Sequence, residues 1–381
     1  MESGLDNMPC SNGTRRRVEK LRGLIEENDL DLAIVSDPKS VFYFTGFRAP
    51  WFMYPTHLFL SVRDEPVLLI GEIGKEIAET KFGGEIVTYA NYDLRKRMVA
   101  YPGFVAEEAL KFLAKMKYKL QNVGVEFWSI PQSISESLKS SALFDLSQPI
   151  LDLRVVKEDD EIEALRASCE LNDFALSFAR DTIAAGKSEV DVYATAHEAL
   201  TRKAGTIPTY KGDFISGERT LRLFGLPTSR ILKEGENFIL DTQVEFGGYW
   251  SDITRTYVVG KKPSKKHVDI FELLKSAMQA SEKLLKPGNR ASDVYQAGFE
   301  VIEKAGYGKF LPHHMGHGLG LDPEEAPFFI PGSQEVLQPQ TVCAVEPGIY
   351  LPGFGGIRIE NNYLITTKGF EKLTKIPLTL I

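Results

Sequence analysis

Five residues in the second half of this 381-residue chain combine type and spacing suited to metal chemistry: Asp241, Asp252, His317, Glu346 and Glu360. Asp241 and Asp252 flank Phe246-Gly247-Gly248, and a hairpin centred near 246–247 would set the two aspartates directly opposite each other on one face. Glu346 and Glu360 are equidistant from Gly353, within the turn Pro352-Gly353-Phe354-Gly355-Gly356, so they too can face each other. Four carboxylates brought together repel strongly unless cations hold them. Two divalent ions balance that charge, and His317, a lone histidine among glycines, adds one imidazole. Two such ions about 3.5–4 Å apart polarise a carbonyl oxygen and make water a nucleophile near neutral pH. Glu346 could take the water's proton. The plainer alternative makes these acids solvated strand and turn residues, and it leaves their pairing unexplained. With no sulfur and a single imidazole, the set suits manganese, cobalt or zinc better than copper.

Those side chains need ribbons to carry them and helices to back the ribbons. From Gly235 onward the hydrophobic period is that of strands, around the aspartate pair. Before it, Asp159 and Asp160 can start a helix with apolar Ile162, Leu165, Cys169 and Phe174, and Ser188 with Asp191 can cap a second. Helical patterns over about 264–285 and 292–305, with Ser292 as a capping candidate, precede the histidine segment and the glutamate hairpin. Helix pair, ligand hairpin, helix pair, ligand hairpin predicts an internally duplicated α+β domain over 151–381. Its core would be a curved antiparallel sheet with helices on the outer face.

Residues 14–150 read as a smaller α/β domain, after a flexible tail over 1–13. A basic helix at about 14–27 leads to Leu32-Ala33-Ile34-Val35, and SVFYFTGF, HLFLSV, PVLLIG and EIVTYA read as further strands. A helix at about 104–117 and the strand VGVEFWSI follow, implying a mixed sheet flanked by helices. Pro149 marks the domain's end.

Forty-five basic against 52 acidic residues give a formal charge of −7, which excludes a general attraction for nucleic acid or anionic membrane. Cys10, Cys169 and Cys343 are too few and too scattered for a disulfide framework or a thiolate site. The N-terminus lacks the apolar stretch of a secretory signal, and no run approaches membrane-spanning length, so a cytoplasmic location is expected.

The segments LDTQVEFGGYWSDITRT, HHMGHGLGLD, VEPGIY and GGIRIENNYLITTKG together resemble the creatinase/aminopeptidase P/methionine aminopeptidase family, the M24 metallopeptidases of "pita-bread" fold. SVFYFTGF matches a motif of the N-terminal domain that the longer members carry, so the resemblance covers most of the chain. It implies that Asp241, Asp252, His317, Glu346 and Glu360 are metal ligands, with Asp252 and Glu360 bridging. It also implies that His313 lies on the substrate side and that Arg358 braces the ligands. Two departures stand out. Glu324 occupies the place of a histidine in the family's G-L-D-x-His-E pattern, and Phe224 replaces a second histidine. Glu324 could be a protonated acid, a partner for a substrate cation, or a solvated residue. Arg219 and Arg222 could bind a substrate carboxylate or be loop charges. Trp51 and Phe52 could form a lip over a partner subunit's pocket. His314 reads as a supporting or packing residue, and His57, His197 and His267 as ordinary ones.

The expectation is a dinuclear metal-dependent hydrolase of a small C–N bond, most plausibly in a dipeptide or Xaa-Pro peptide, working as a homodimer. A hydrolase or lyase of a non-peptide small molecule, such as a small amide, is the first alternative. A non-catalytic metal-binding scaffold is the second.

Overall fold

The computed structural model describes residues 12–49, 55–95, 98–99, 102–115 and 119–381. The chain divides into two compact units that meet in sequence at Arg154 and Val155.

The N-terminal unit runs α1 (Asn12–Glu27), β1 (Leu32–Val35), α2 (Pro38–Thr45), β2 (His57–Leu60), β3 (Val67–Gly71), α3 (Lys75–Lys81), β4 (Glu85–Tyr89), β5 (Tyr92–Asp93), β6 (Met98–Val99), α4 (Pro102–Ala114), β7 (Asn122–Val125), α5 (Gln132–Ser137), β8 (Ala142–Asp145) and α6 (Ser147–Val155). Six strands form one sheet in the order β4-β3-β2-β1-β7-β8. It is mixed, with β1 parallel to β7 and antiparallel to β2. SVFYFTGF, expected as a strand, is the body of α2. Asp37 caps that helix by accepting from the Lys39 and Ser40 N–H groups, Pro38 opens it, and Gly46 closes it at φ +68°. Local caps override the strand preference of its aromatic and β-branched run. Pro149 sits in the first turn of α6, where a missing N–H leaves no helical bond unmade. Asn12 and Gly13, expected in the tail, already belong to α1. Residues 1–11, with Cys10, lie outside the described residues, as do Trp51 and Phe52.

The C-terminal unit runs α7 (Asp159–Thr182), α8 (Glu189–Ala204), β9 (Thr209–Ser216), β10 (Asn237–Phe246), β11 (Tyr249–Val258), α9 (Lys265–Glu282), α10 (Ala291–Lys304), β12 (Val342–Val345), β13 (Gly348–Leu351), β14 (Gly355–Arg358), β15 (Asn361–Ile365) and β16 (Phe370–Lys372). Ser188 caps α8 by accepting from the Asp191 N–H. Ser292 does not cap α10. The cap position is Arg290, whose N–H donates to Asp293 Oδ2, and Ser292 lies inside the first turn.

Burial sets which face of the ribbons carries the acids. Phe214, Phe238, Leu240, Val244 and Ile253 pack against Leu171, Leu176, Val192 and Leu200 of α7 and α8. Each such side chain is worth roughly 1.5–3 kcal/mol when buried. A one-residue slip of β10 would bury Asp241 in this layer and expel Leu240 from it. The alternation therefore forces residues 239, 241, 243 and 245 onto the opposite face. The second half repeats the plan: Leu274, Met278, Val294 and Ile302 of α9 and α10 cover Val345, Ile349 and Ile357 of the glutamate ribbon. This is an α+β domain of two helix-backed ribbon halves, and the unit before it in the chain is α/β.

Candidate metal centre

The β10–β11 ladder pairs Phe246 with Tyr249, so Gly247-Gly248 is a two-residue turn. Asp241 consequently faces Thr254, and Asp252 faces Gln243. The aspartates were expected directly opposite each other; they sit diagonally, two residues apart, because the turn is centred one position later. The offset is even, so both still project from the same face. Glu346 and Glu360 do lie across from each other. Val345 pairs with Asn361, one register before them, and Gly348 with Arg358, two registers after.

Side chains sew the two ribbons together. Asp252 N–H donates to Asn362 Oδ1 at 3.1 Å, and the Asn362 amide donates back to the Asp252 carbonyl. Thr254 Oγ1 donates to Glu360 Oε2 at 2.8 Å, and Thr256 Oγ1 donates to the Arg358 carbonyl at 2.8 Å. These links step through 252/362, 254/360 and 256/358 as an antiparallel ladder would, and they bring the two carboxylate pairs to one place.

His317 arrives on the segment beside β12, where Ala344 N–H donates to the His317 carbonyl and Glu346 N–H to that of Met315. A Cβ on Gly316 would lie 2.1 Å from the Ala344 carbonyl, so only glycine lets this segment run so close. His317 Nδ1 donates to the Gly318 carbonyl at 2.9 Å. That contact turns Nε2 inward, 3.2 Å from Glu346 Oε1 and 3.9 Å from Glu360 Oε1.

Asp252, His317 and Glu360 form one cluster of potential ligands, and His313, His314 and Glu346 form another. Three carboxylate oxygens here, Asp241 Oδ1, Asp252 Oδ1 and Glu360 Oε1, are buried without a hydrogen-bond partner. Carboxylate oxygens left without partners and converging beside an inward-turned imidazole nitrogen fit a pair of divalent cations. The electrostatics agree. Burial, then the neighbouring carboxylates, hold Asp252 and Glu360 well above the usual carboxyl range. Burial would raise Glu346 as well, but hydrogen bonds to His314 and His317 keep it well below that range.

Arg358 is fully buried and donates to Asp241 Oδ2 at 2.6 Å, Asp213 Oδ2 at 3.0 Å and Tyr350 Oη at 2.8 Å. Asp213 is directly across from Asp241 on β9, and burial followed by Asp241 pushes it up to about 6. Both ring nitrogens of His313 are committed: Nδ1 donates to the His314 carbonyl at 2.7 Å, and Nε2 accepts from Tyr350 at 3.0 Å. Desolvation pushes His313 down to about 4.

His314, expected to be a supporting or packing residue, stands at the centre. Its Nδ1 is 3.2 Å from Glu346 Oε1 and its Nε2 3.7 Å from Glu324 Oε2. Burial opposes its charge, yet Glu324 and Glu346 push it up to about 10. Glu324 is half-exposed and is held below its ordinary value by His314. Arg219 is not available to a substrate, because it is locked onto buried Glu189 and the Leu226 carbonyl. Arg222 and Phe224 are exposed on the adjoining loop, which Gly225 N–H ties to Asp213 Oδ1 at 2.7 Å. His197 packs on Tyr193 and Tyr210, and His267 meets Ser264 at the start of α9.

The sequence reading missed Asp213, Gln243, Thr254 and Tyr350. Gln243 and Thr254 each lie two residues from an aspartate, the strand period, and Tyr350 is four residues after Glu346. Asp213 carried no signal before the β9–β10 pairing was known.

Fold and site together define a metal-dependent hydrolase with a dinuclear divalent-metal centre. The model of metallopeptidase family M24 matches residues 163–367, and that of the creatinase/prolidase N-terminal domain matches residues 17–156. The chain belongs to metallopeptidase family M24. It is 30% identical to an Xaa-Pro dipeptidase of Pyrococcus furiosus, over 96% of this chain and 100% of the relative. The crystal structure of the prolidase from Pyrococcus horikoshii OT3 superposes with a TM-score of 0.84 at 27% identity, covering 96% of this chain and 100% of that one. An Xaa-Pro dipeptidase from Bacillus anthracis gives a TM-score of 0.85 at 27% identity, covering 97% and 99%. As a member of this family the protein hydrolyses small peptide or amide bonds. Among the described residues no helix is long and apolar enough to cross a membrane.

Proposed function

We propose that this protein is a dipeptidase of the Xaa-Pro type, with Asp241, Asp252, His317, Glu346 and Glu360 holding the two ions. The convergence of three orphaned carboxylate oxygens on the face that also receives His317 Nε2 carries the reading. Bound divalent ions would polarise the scissile carbonyl and activate water. The remaining work falls to the chain itself. Glu346 is ionised between two imidazoles and accepts the proton of the attacking water, then passes it to the leaving amine as the C–N bond breaks. Arg358 neutralises Asp213 and Asp241 and fixes the latter's second oxygen. His313 holds Tyr350, which also receives Arg358, so it acts through that hydroxyl. His314 brings to the site's mouth the imidazole that position 324 lacks, and it donates a hydrogen bond to the oxygen of the attacked carbonyl. Glu324 steadies it.

An oxygen-rich set with one committed imidazole favours manganese as the resident ion. Cys169 and Cys343 are free and buried, in keeping with a reducing cytoplasm. Exposed Phe127 and Trp128 of the N-terminal unit offer a contact for homodimer assembly. The deciding experiment measures metal stoichiometry and dipeptide turnover on one manganese-loaded sample. Two ions per chain with preferential release of proline from Xaa-Pro dipeptides supports the reading. One ion or none, or no cleavage of any dipeptide, overturns it.

A further inference from the structure

The face that carries the candidate ligands also carries a cation that, among the described residues, has no carboxylate paired with it. The ladders place Lys211, Gln243 and Asp252 in one row across β9, β10 and β11. Directly paired residues share a face, so the Lys211 side chain rises on the same side as the ligands. The side chain is exposed. It lies across the sheet with Nζ 4.5 Å from the centre of the Trp250 indole. Among the described residues it makes no ion pair, although four carboxylates gather on the same face. Gln243, from the middle of the row, has already committed its Nε2 to Asp252 Oδ2 at 2.6 Å. The Trp250 backbone is held in place, for its main-chain N–H donates to the Gly320 carbonyl at 2.9 Å, on the loop that follows His317. An indole orients an ammonium without discharging it, so Nζ stays open to an anion on its other side.

We propose that Lys211, steadied on Trp250, binds the free carboxylate of the substrate and so restricts this site to peptides with one residue beyond the scissile bond. Trp250 is two residues from Asp252 on the same strand face, a separation of about 7 Å. One extended residue spans at most about 3.6 Å from scissile carbonyl to the next backbone unit, and a lysine head covers the remaining gap. A tripeptide would carry its carboxylate past Nζ. This inference rests on the dipeptidase reading and deepens it.

The test compares a dipeptide analogue whose peptide bond is reduced to CH2–NH with the C-terminal amide of the same analogue. Each is titrated calorimetrically into manganese-loaded protein, for wild type, K211M and K211R. The methionine variant keeps the apolar stem on the indole and removes only the charge. Wild type should bind the acid about tenfold to a hundredfold more tightly than the amide, in line with loss of a charge-assisted hydrogen bond. That preference should vanish in K211M, with amide affinity unchanged, and return in part in K211R. Equal binding of acid and amide by wild type, equal weakening of both in K211M, or no binding of either overturns the proposal. Turnover of the parent dipeptide is read alongside. Acid-selective binding without cleavage would leave the carboxylate subsite standing and remove the dipeptidase reading. Cleavage without acid preference would do the reverse.

Discussion

The imidazole of His314 stands 3.7 Å from the Glu324 carboxylate, while its other nitrogen faces Glu346 at 3.2 Å. A histidine held between one carboxylate inside the centre and one at its rim donates where substrate must enter. Replacing it by glutamine (H314Q) should lower kcat by about a hundredfold, the scale of one lost donor to a developing oxyanion. Metal content should stay unchanged. E324Q removes only a half-exposed partner and should cost less than about tenfold. Steady-state kinetics with metal analysis on both variants checks this, and a fully active H314Q would remove His314 from the mechanism.

Among the described residues Arg358 is the one cation paired with both Asp213, which is buried, and Asp241, which is partly buried. Arg358→Met leaves both without their counter-charge. Loss of one partner from a buried ion pair costs about 3–5 kcal/mol. The metal-free variant should therefore unfold at much lower urea concentration than wild type. Added manganese should recover part of the loss through Asp241 but none through Asp213. Denaturant curves with and without metal separate the two.

Metal removal should reverse the pH response of stability. In the free protein Asp252 and Glu360 are held well above the ordinary range and Asp213 lies near 6, so all three stay protonated where the unfolded chain has ionised. The folded state then binds more protons, and stability falls as pH rises from about 4 through 6. Glu346, held low, opposes this with one group against three. Saturating manganese should abolish the fall and add about 2.7 kcal/mol at a hundred times its Kd. Melting temperatures over pH 4–8, with chelator or with metal, test the sign.

In the N-terminal unit His57 is 2% exposed and bonded to Ser36 at 2.9 Å, with Nε2 unpartnered. Burial pushes its pKa down to about 4 from 6.5. Between those values the unfolded chain binds a proton that the folded one refuses. Stability contributed by neutral His57 is therefore complete above pH 6.5 and is lost as pH falls towards 4, by about 3 kcal/mol in all. His57→Gln should flatten that limb of the unit's stability profile.

The candidate ligand set stands out in the sequence because acids on either side of glycine turns, at matching distances, suit cations. The register was misread by one position: Gly247 and Gly248 both adopt positive φ, which two glycines tolerate and Phe246 would not, so the turn centres on Gly247-Gly248. The α2 segment misled for a related reason. Phe42, Tyr43 and Phe44 read as strand, while Asp37 and Gly46, one on each side, dictate a helix. Asp213 reaches the site through the β9–β10 pairing, to which local spacing is blind.

Lys157 illustrates how far such support extends. It is 1% exposed and pairs with Glu325, which is 8% exposed, 168 residues on. Glu325 exchanges both backbone bonds with Gly318, the neighbour of His317, at 2.7 and 3.0 Å. The ion pair thus clamps the loop that carries His317 and Glu324. Lys157→Met strands a carboxylate in the interior and should destabilise the protein by about 3–5 kcal/mol. The double variant K157M/E325L replaces the pair by apolar groups and should recover most of that stability. Its metal affinity discriminates between two roles. If the pair's geometry positions His317, the stable double variant should still bind manganese about tenfold to a hundredfold more weakly, as loss of an orienting partner does. If the pair only fills space, affinity returns with stability. Chemical denaturation and metal titration of the same three proteins decide between them.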